Sequence, residues 1–236
     1  MGKLFGISEI KTLEDWQNIV GKDKFKKGFS AYELAYSWLH KPGHFPESIQ
    51  KIFNASDYQI FNDLVLNYAI VENPIFLDNF KGPSMNDLMV FAGSKRIKSS
   101  IVIAVEGKVN ESFDKYIFEW IRDNSENPKK SRKNRLQYLN EQLGTCLTEE
   151  SKIRYQLVHR TASAIIEAKK NGIDNAMLLI HSFKSKNKSK SKCNFKDYND
   201  FITLFGITNA EKQKIYQYKL GEFQNFFFLW FEDSKS

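Results

Sequence analysis

Five apolar residues in a row, Ile101, Val102, Ile103, Ala104 and Val105, end at once in Glu106, Gly107 and Lys108. A short continuous apolar run is how a strand buried on both faces reads. Such a strand needs cover on each side, so the chain must build a sheet inside layers of helix. Side chains alternate along a strand, so Glu106 and Lys108 project to one face and Gly107 to the other. A buried strand that carries two opposite charges to one edge is expected to have chemistry to do there.

The flanking sequence supplies the cover. Thr12 with Asp15 makes a capping box ahead of an apolar face of Leu13, Trp16, Ile19 and Val20, which stops at Gly21 and the lysines Lys22, Lys24, Lys26 and Lys27. Ser30 with Glu33 reads as a second capping box, ahead of Ala31, Leu34, Ala35, Trp38 and Leu39 at helical spacing. Short helices are expected over 46–54 and 57–66. Residues 68–77 read as a first strand, with Pro74 marking an edge or a bulge. A second strand over 88–92 and a loop over 93–100 then form a hairpin with the opening run. Beyond Lys108, Phe113, Ile117, Trp120 and Ile121 share one helical face, and Ser131 caps a helix carrying Leu136, Leu139 and Leu143. Thr148 is expected to open the longest helix, closed by Asn171-Gly172. A strand over 175–183, an exposed lysine-rich loop over 184–192, a short helix over 198–205 and a last strand over 223–231 complete the chain. The expectation is one α/β domain, helical over about 1–66, with the sheet core over about 67–236.

Composition narrows the chemistry. The net charge of +7 favours polyanionic partners. Two cysteines far apart and four histidines argue against a zinc site or a disulfide framework, so a reducing cytoplasm is expected. The N-terminus lacks the apolar core of a signal peptide and has Gly6 where a myristoylation signal wants Ser or Thr. No apolar run approaches the length of a membrane span, so no membrane partner is expected.

Glu-x-Lys occurs four times, at Glu9, Glu106, Glu150 and Glu167, but only Glu106-Gly107-Lys108 ends an apolar strand. If 93–100 is a hairpin loop, Asp87 at the start of one strand lies beside Glu106 at the end of the next. Two such carboxylates resist joint ionisation unless a cation sits between them. Mg2+, or Mn2+ in its place, accepts that arrangement, taking one or two carboxylates, water and phosphate oxygens. There the metal would polarise a phosphodiester and acidify a bound water, while Lys108 orients that water and stabilises growing charge. Same-side neighbours two apart on a strand stand too far apart for a strong ion pair, so a purely structural Glu106–Lys108 pair would gain little.

Asp87, a hairpin, and Glu106-Gly107-Lys108 followed by helix and strand resemble the PD-(D/E)xK phosphodiesterase superfamily. The strings N-D-L, A-V-E-G-K-V, Glu119-Trp120 and R-Y-Q-L-V-H-R-T-A-S-A resemble more closely an uncharacterised bacterial family placed near it, over roughly 30–205. The proline of the superfamily name falls at Pro83 rather than beside Asp87. The resemblance implies a restriction-endonuclease-like core (α-β-β-β-α-β, a mixed sheet flanked by helices). It implies Asp87 and Glu106 as metal-binding acids, the carbonyl of Gly107 as a third ligand, and Lys108 as the catalytic lysine. Many members add an acid from the first core helix, for which Glu33 is the candidate and Glu72 on the first strand the rival. Gln156 resembles a glutamine that several superfamily nucleases hold over the active site.

On the long helix Gln156, Arg160, Ser163 and Glu167 form a polar stripe beside an apolar one of Leu157, Ala164, Ile165 and Ala168. Arg160 or His159 is placed to contact the scissile phosphate; His181 and Ser182 are read as finishing their strand. Lys129, Lys130, Arg132, Lys133 and Arg135 crowd a helix N-terminus, where the dipole disfavours cations unless an anionic partner offsets the cost. These residues and Arg160 are the expected nucleic-acid contacts, to DNA rather than RNA. The sequence-level expectation is thus a Mg2+-dependent nuclease. The alternative is a non-catalytic nucleic-acid-binding or assembly protein that keeps the fold; either admits a homodimer.

Overall fold

The computed structural model describes residues 2–6, 8–78, 82–123, 129–184, 188–221 and 224–233, with the side chains of 129, 188–192 and 224 left aside. The apolar run is the central strand of a seven-stranded mixed sheet. In chain order the strands are β1 (Lys3–Phe5), β2 (Leu64–Ile75), β3 (Ser84–Ser94), β4 (Ser99–Lys108), β5 (Asn175–Phe183), β6 (Ile215–Leu220) and β7 (Gln224–Asp233). Across the sheet they run β1-β2-β3-β4-β5-β7-β6. β2, β3 and β4 form an antiparallel meander, and β4, β5 and β7 are mutually parallel.

The helices are α1 (Leu13–Val20), α2 (Ser30–Leu39), α3 (Glu47–Asn54), α4 (Ile117–Arg122), α5 (Lys129–Leu143), α6 (Tyr155–Lys170) and α7 (Lys188–Ile202). Among the described residues none is long and apolar enough to cross a membrane. The alternation of β4 divides the core. Ile101, Ile103 and Val105 pack under Trp16, Leu34, Trp38, Ile49 and Phe53 of α1–α3. Val102 and Ala104 pack under Ile117, Leu139, Leu157, Val158 and Phe201 of α4–α7. β7 divides the same way, Phe226, Phe228 and Trp230 to the second face and Phe227, Leu229 and Phe231 to the first. Each such side chain contributes about 1.5–3 kcal/mol on burial, so this strand pair is the thermodynamic centre of the fold.

Several boundaries differ from the sequence reading, each for a local reason. Residues 57–66 are not a helix but a 3-10 turn, Gln59–Phe61, leading into β2. Asp63 there has a positive φ (55°), which no helix continues through. Ser30 makes no side-chain cap at α2, whose N-cap is Phe29; the Glu33 carboxylate instead accepts from Gly28 N–H at 2.8 Å. α6 starts at Tyr155, not Thr148, because Lys115 and Ile153 carbonyls tie the incoming chain to the start of α4. The helix over 198–205 is the end of a longer α7 that begins at Lys188, inside the stretch expected as a loop; 185–187 of that stretch lie outside the described residues. The edge strands β1 and β6 were not anticipated. β1 covers only Tyr68–Ile70 of β2, so Pro74 lies where no second strand needs its missing N–H.

His181 does finish β5. It is fully buried, and its Nδ1 accepts from Trp38 Nε1 at 3.2 Å, leaving the ring hydrogen on Nε2, 3.5 Å from Asp233 Oδ2. Burial holds its pKa below the ordinary histidine value, although Asp233 pulls the other way.

Candidate active site

The β3–β4 register pairs Leu88 with Val105, so Asp87 and Glu106 are the next residues on facing strands, one step past the last paired residues. On the other side, Val71↔Leu88 and Asn73↔Asn86 bracket Glu72 opposite Asp87. Three acids therefore line one row on the α4–α7 face of the sheet. Glu72 holds a left-handed φ of 48°, a conformation that costs a non-glycine residue about 1–3 kcal/mol. Regular pleating already carries Glu72 to this face, since Tyr68 and Ile70 of the same strand pack against the α4–α7 core.

Glu106 is 2 % exposed and Lys108 5 %. Lys108 Nζ donates to Glu106 Oε1 at 2.6 Å and to Gln156 Oε1 at 3.1 Å, and lies 4.9 Å from the centre of the Phe113 ring. The long lysine stem curls back at the strand end, so the i, i+2 pair is tight after all, contrary to the spacing argument. Gln156 Nε2 also donates to Glu106 Oε1 at 2.8 Å, so one amide clamps both charged partners. Arg160 Nε donates to Glu106 Oε2 at 2.6 Å, and its Nη2 stands 3.7 Å from Asp87 Oδ1. Burial alone would raise the Glu106 pKa, but Lys108 and Arg160 outweigh it and hold the carboxyl below its usual range.

Asp87 still meets solvent, its side chain 25 % exposed. Its Oδ2 accepts from Gly107 N–H at 2.9 Å. An extended residue points its N–H and C=O to the same side, so the Gly107 carbonyl also faces β3 and Asp87. Partial desolvation, then the like charge of Glu106, pushes the Asp87 pKa up to about 7 despite Arg160 and Lys108. Glu72 is raised chiefly by burial, with Glu106 adding and Arg160 and Lys24 opposing. The three carboxylates outnumber Lys108 and Arg160, with Lys24 acting on Glu72 from further out.

A chain of polar groups backs Arg160. Its Nη1 donates to Ser84 Oγ at 3.1 Å, and Ser84 Oγ is 2.7 Å from His159 Nδ1. With the guanidinium donating to the serine oxygen, the hydroxyl hydrogen is left to His159 Nδ1. That arrangement requires a neutral imidazole, and burial followed by the nearby Arg160 charge holds the His159 pKa well below 6.5. Glu111, three residues past Lys108, accepts from the backbone N–H groups of Ser30 (2.9 Å), Val109 (2.9 Å) and Asn110 (3.0 Å), which pins the first turn of α2 against the end of β4. These hydrogen bonds hold its pKa low in spite of burial. Ser84 and Glu111 carry no spacing signal in the sequence; only the register of β3 and the turn after β4 bring them in.

Asp87, Glu106, Gly107, Lys108 and Gln156 thus converge as the sequence suggests. Glu33 does not join them, since α2 packs on the opposite face of the sheet and its carboxylate serves Gly28; Glu72 is the third acid. Arg160 is 6 % exposed and committed to Glu106 and Ser84, so it belongs to the cluster rather than to a nucleic-acid surface. The basic start of α5 is also largely spoken for. Arg132 donates to the carbonyls of Trp120 and Asp123 (both 2.6 Å), Arg135 makes a two-pronged bond to Asp78 (2.7 and 2.8 Å), and Lys133 pairs with Glu149 (2.6 Å). The cost of cations at that helix end is thus met inside the protein. Lys130 is exposed, and the Lys129 side chain lies outside the described residues.

The donor set fits a hard divalent cation. Asp87 Oδ1, the remaining lone pairs of Asp87 Oδ2 and Glu106 Oε2, and the Gly107 carbonyl are oxygens of the kind Mg2+ takes, and the three carboxylates favour it. Among the described residues no three His, Cys, Asp or Glu side chains gather as a self-sufficient metal cage.

No curated protein and no solved structure matches the chain. One family model does, over residues 9–235, nearly the whole sequence, and the chain therefore belongs to the family described as Domain of unknown function (DUF6946).

Proposed function

We propose that the protein is a metal-dependent phosphodiesterase, a nuclease acting on DNA, built on a restriction-endonuclease-like core. The order β2-β3-β4-α6-β5, with its mixed sheet between helical layers, supports the core assignment. The observation that carries the function is the convergence of Asp87, Glu106 and Lys108 in one cluster at the ends of β3 and β4. Asp87, Glu106 and the Gly107 carbonyl would hold Mg2+ or Mn2+, which when bound polarises a phosphodiester and makes water acidic. Lys108 is the group that meets the scissile phosphate: its ammonium stabilises charge growing on the phosphoryl oxygens and orients the attacking water. Gln156 is a positioning residue, fixing Lys108 against Glu106. Arg160 anchors Glu106 in one orientation, and the Ser84–His159 chain anchors Arg160. Asp87, poised near neutrality and in contact with solvent, sets the pH at which the site takes its cation.

A second reading has one observation in its favour. Both Glu106 oxygens already accept from Lys108, Gln156 or Arg160, so the guanidinium stands where a metal would otherwise balance charge. On that reading the fold is kept by a non-catalytic nucleic-acid-binding or assembly protein. Incubation with linear, circular and single-stranded DNA and with RNA, plus Mg2+ or Mn2+, separates the two. The phosphodiesterase reading expects metal-dependent cleavage that falls by about 100-fold or more in Lys108→Ala, the scale of losing one transition-state charge donor. Cleavage equal in the two proteins, or absent on every substrate, overturns it.

A further inference from the structure

We infer that the cleft between α2 and α3 binds an unpaired nucleic-acid strand, with Tyr36 as a stacking platform and Lys27, Lys41 and Lys51 as phosphate contacts. The cleft has a volume of about 620 Å3, room for a nucleotide, and it lies on the face of the sheet away from the acid cluster. Tyr32 and Tyr36, one helical turn apart, present parallel rings (8° apart, centres 6.4 Å) along its wall. Tyr36 is 57 % exposed, and Phe29 at the N-cap of the same helix is 49 % exposed. Aromatic faces left in water beside lysines are what a single strand uses, because every unpaired base has a π-face to stack while its phosphates follow the cations. In a duplex those faces are already covered, so Tyr36 has nothing to meet there.

The lining is not uniformly basic, and this sharpens the ligand class. Glu33, Glu47 and Asp233 line the same cleft, three carboxylates to the three lysines. Carboxylates beside ammonium groups suit a ligand that carries both amino-bearing bases and phosphates, and suit a plain polyanion less. One helix borders both the cleft and the strand end that carries the acid cluster. α2 starts against Gly107, where an added Cβ would stand 3.3 Å from Ser30 Cβ. Tyr36 is six residues further on, ~9 Å along the helix. Lys24, in the lysine run that ends at Lys27, is close enough to Glu72 for its charge to act on that acid. Of the exposed run Lys22, Lys24, Lys26 and Lys27, which in the sequence only ends a helix, Lys27 lines the cleft and Lys24 acts on the cluster.

This deepens the phosphodiesterase reading by naming its substrate class, and it is tested without catalysis. Fluorescence anisotropy would follow a labelled oligo(dC), and a labelled duplex of equal length, binding to full-length Lys108→Ala protein in EDTA. The single strand is expected to bind more tightly than the duplex. Adding Tyr36→Ala should weaken single-strand binding by about 10-fold or more and leave duplex binding unmoved. Adding Lys27→Ala with Lys51→Ala should lower the slope of log affinity against log salt by about 1.4, the value for two phosphates of a single strand. Circular dichroism checks that these exposed-site variants fold. Single-strand binding untouched by Tyr36→Ala, a salt slope unchanged in the lysine variant, or equal duplex affinity with the same Tyr36 dependence, overturns the inference. Failure to cleave DNA would count against the catalytic reading alone, since these binding constants are measured without metal.

Discussion

Replacing Asp87 with Asn isolates the charge of that one acid. The Asp87 pKa in the folded protein is pushed up to about 7, against 3.8 for an ordinary aspartate. A carboxyl raised on folding contributes stability that is fully present below its unfolded pKa and is lost as pH rises toward the folded one. The penalty therefore accrues between about pH 4 and pH 7 and is flat above. At about 1.36 kcal/mol per unit, the difference amounts to ~4 kcal/mol at most. The solvent contact of Asp87 screens part of it, leaving ~2 kcal/mol as a working figure. Asparagine keeps an acceptor for Gly107 N–H and carries no charge, so metal-free Asp87→Asn should be the more stable protein at pH 8. For a chain of this size the gain is about 4–8 °C in Tm. Thermal unfolding in EDTA at pH 4, 6 and 8 reads it: the variant's advantage should be near zero at pH 4 and reach its maximum by pH 8. An advantage independent of pH, or a variant less stable than wild type at pH 8, would refute the charge argument.

Three further perturbations follow from the contacts. Arg160→Ala leaves buried Glu106 with Lys108 as its charged partner and Gln156 as its neutral donor, and losing one partner of a buried pair should cost about 3–5 kcal/mol at pH 8. The loss should shrink in urea titrations near pH 4, where Glu106 takes up a proton instead. Glu111→Ala strips acceptors from the N–H groups of Ser30, Val109 and Asn110 and should cost about 2 kcal/mol of unfolding free energy, with faster amide exchange at those residues. Gly107→Ala brings a methyl to 3.3 Å from Ser30 Cβ and 3.5 Å from Asp87 Oδ2; about 1 kcal/mol of destabilisation is expected, read by urea denaturation.

Much of this geometry was legible in the chain because it follows from period two. Residues 101–108 announced a buried strand, and alternation alone placed Glu106 and Lys108 on one face. The hairpin then required Asp87 to lie opposite Glu106, and the 3.6-residue repeat put Gln156 and Arg160 on the side of α6 that meets them. What alternation does not encode is which face a remote helix covers. Glu33 looked like a third acid because its helix comes first, whereas α2 crossed to the other layer. Glu72 took that place because it lies on the Tyr68–Ile70 side of β2, opposite Asp87 in the β2–β3 register. The cations at the start of α5 read as a surface for anions, but Asp78 and the α4 carbonyls that satisfy Arg135 and Arg132 come from elsewhere in the chain. β6 pairs only with β7 and was hidden by a polar sequence suited to an edge. Tertiary partners decided each of these cases.

The most direct test of the account is calorimetric titration of Mn2+ into metal-free protein near pH 6, repeated in two buffers of different ionisation enthalpy. At that pH Asp87 is largely protonated, and a cation that binds it must release the proton. The account predicts a single bound Mn2+ per chain with close to one proton released, and neither signal in Asp87→Asn. Mn2+ binding that is unchanged in Asp87→Asn, or no binding by the wild type, would contradict it.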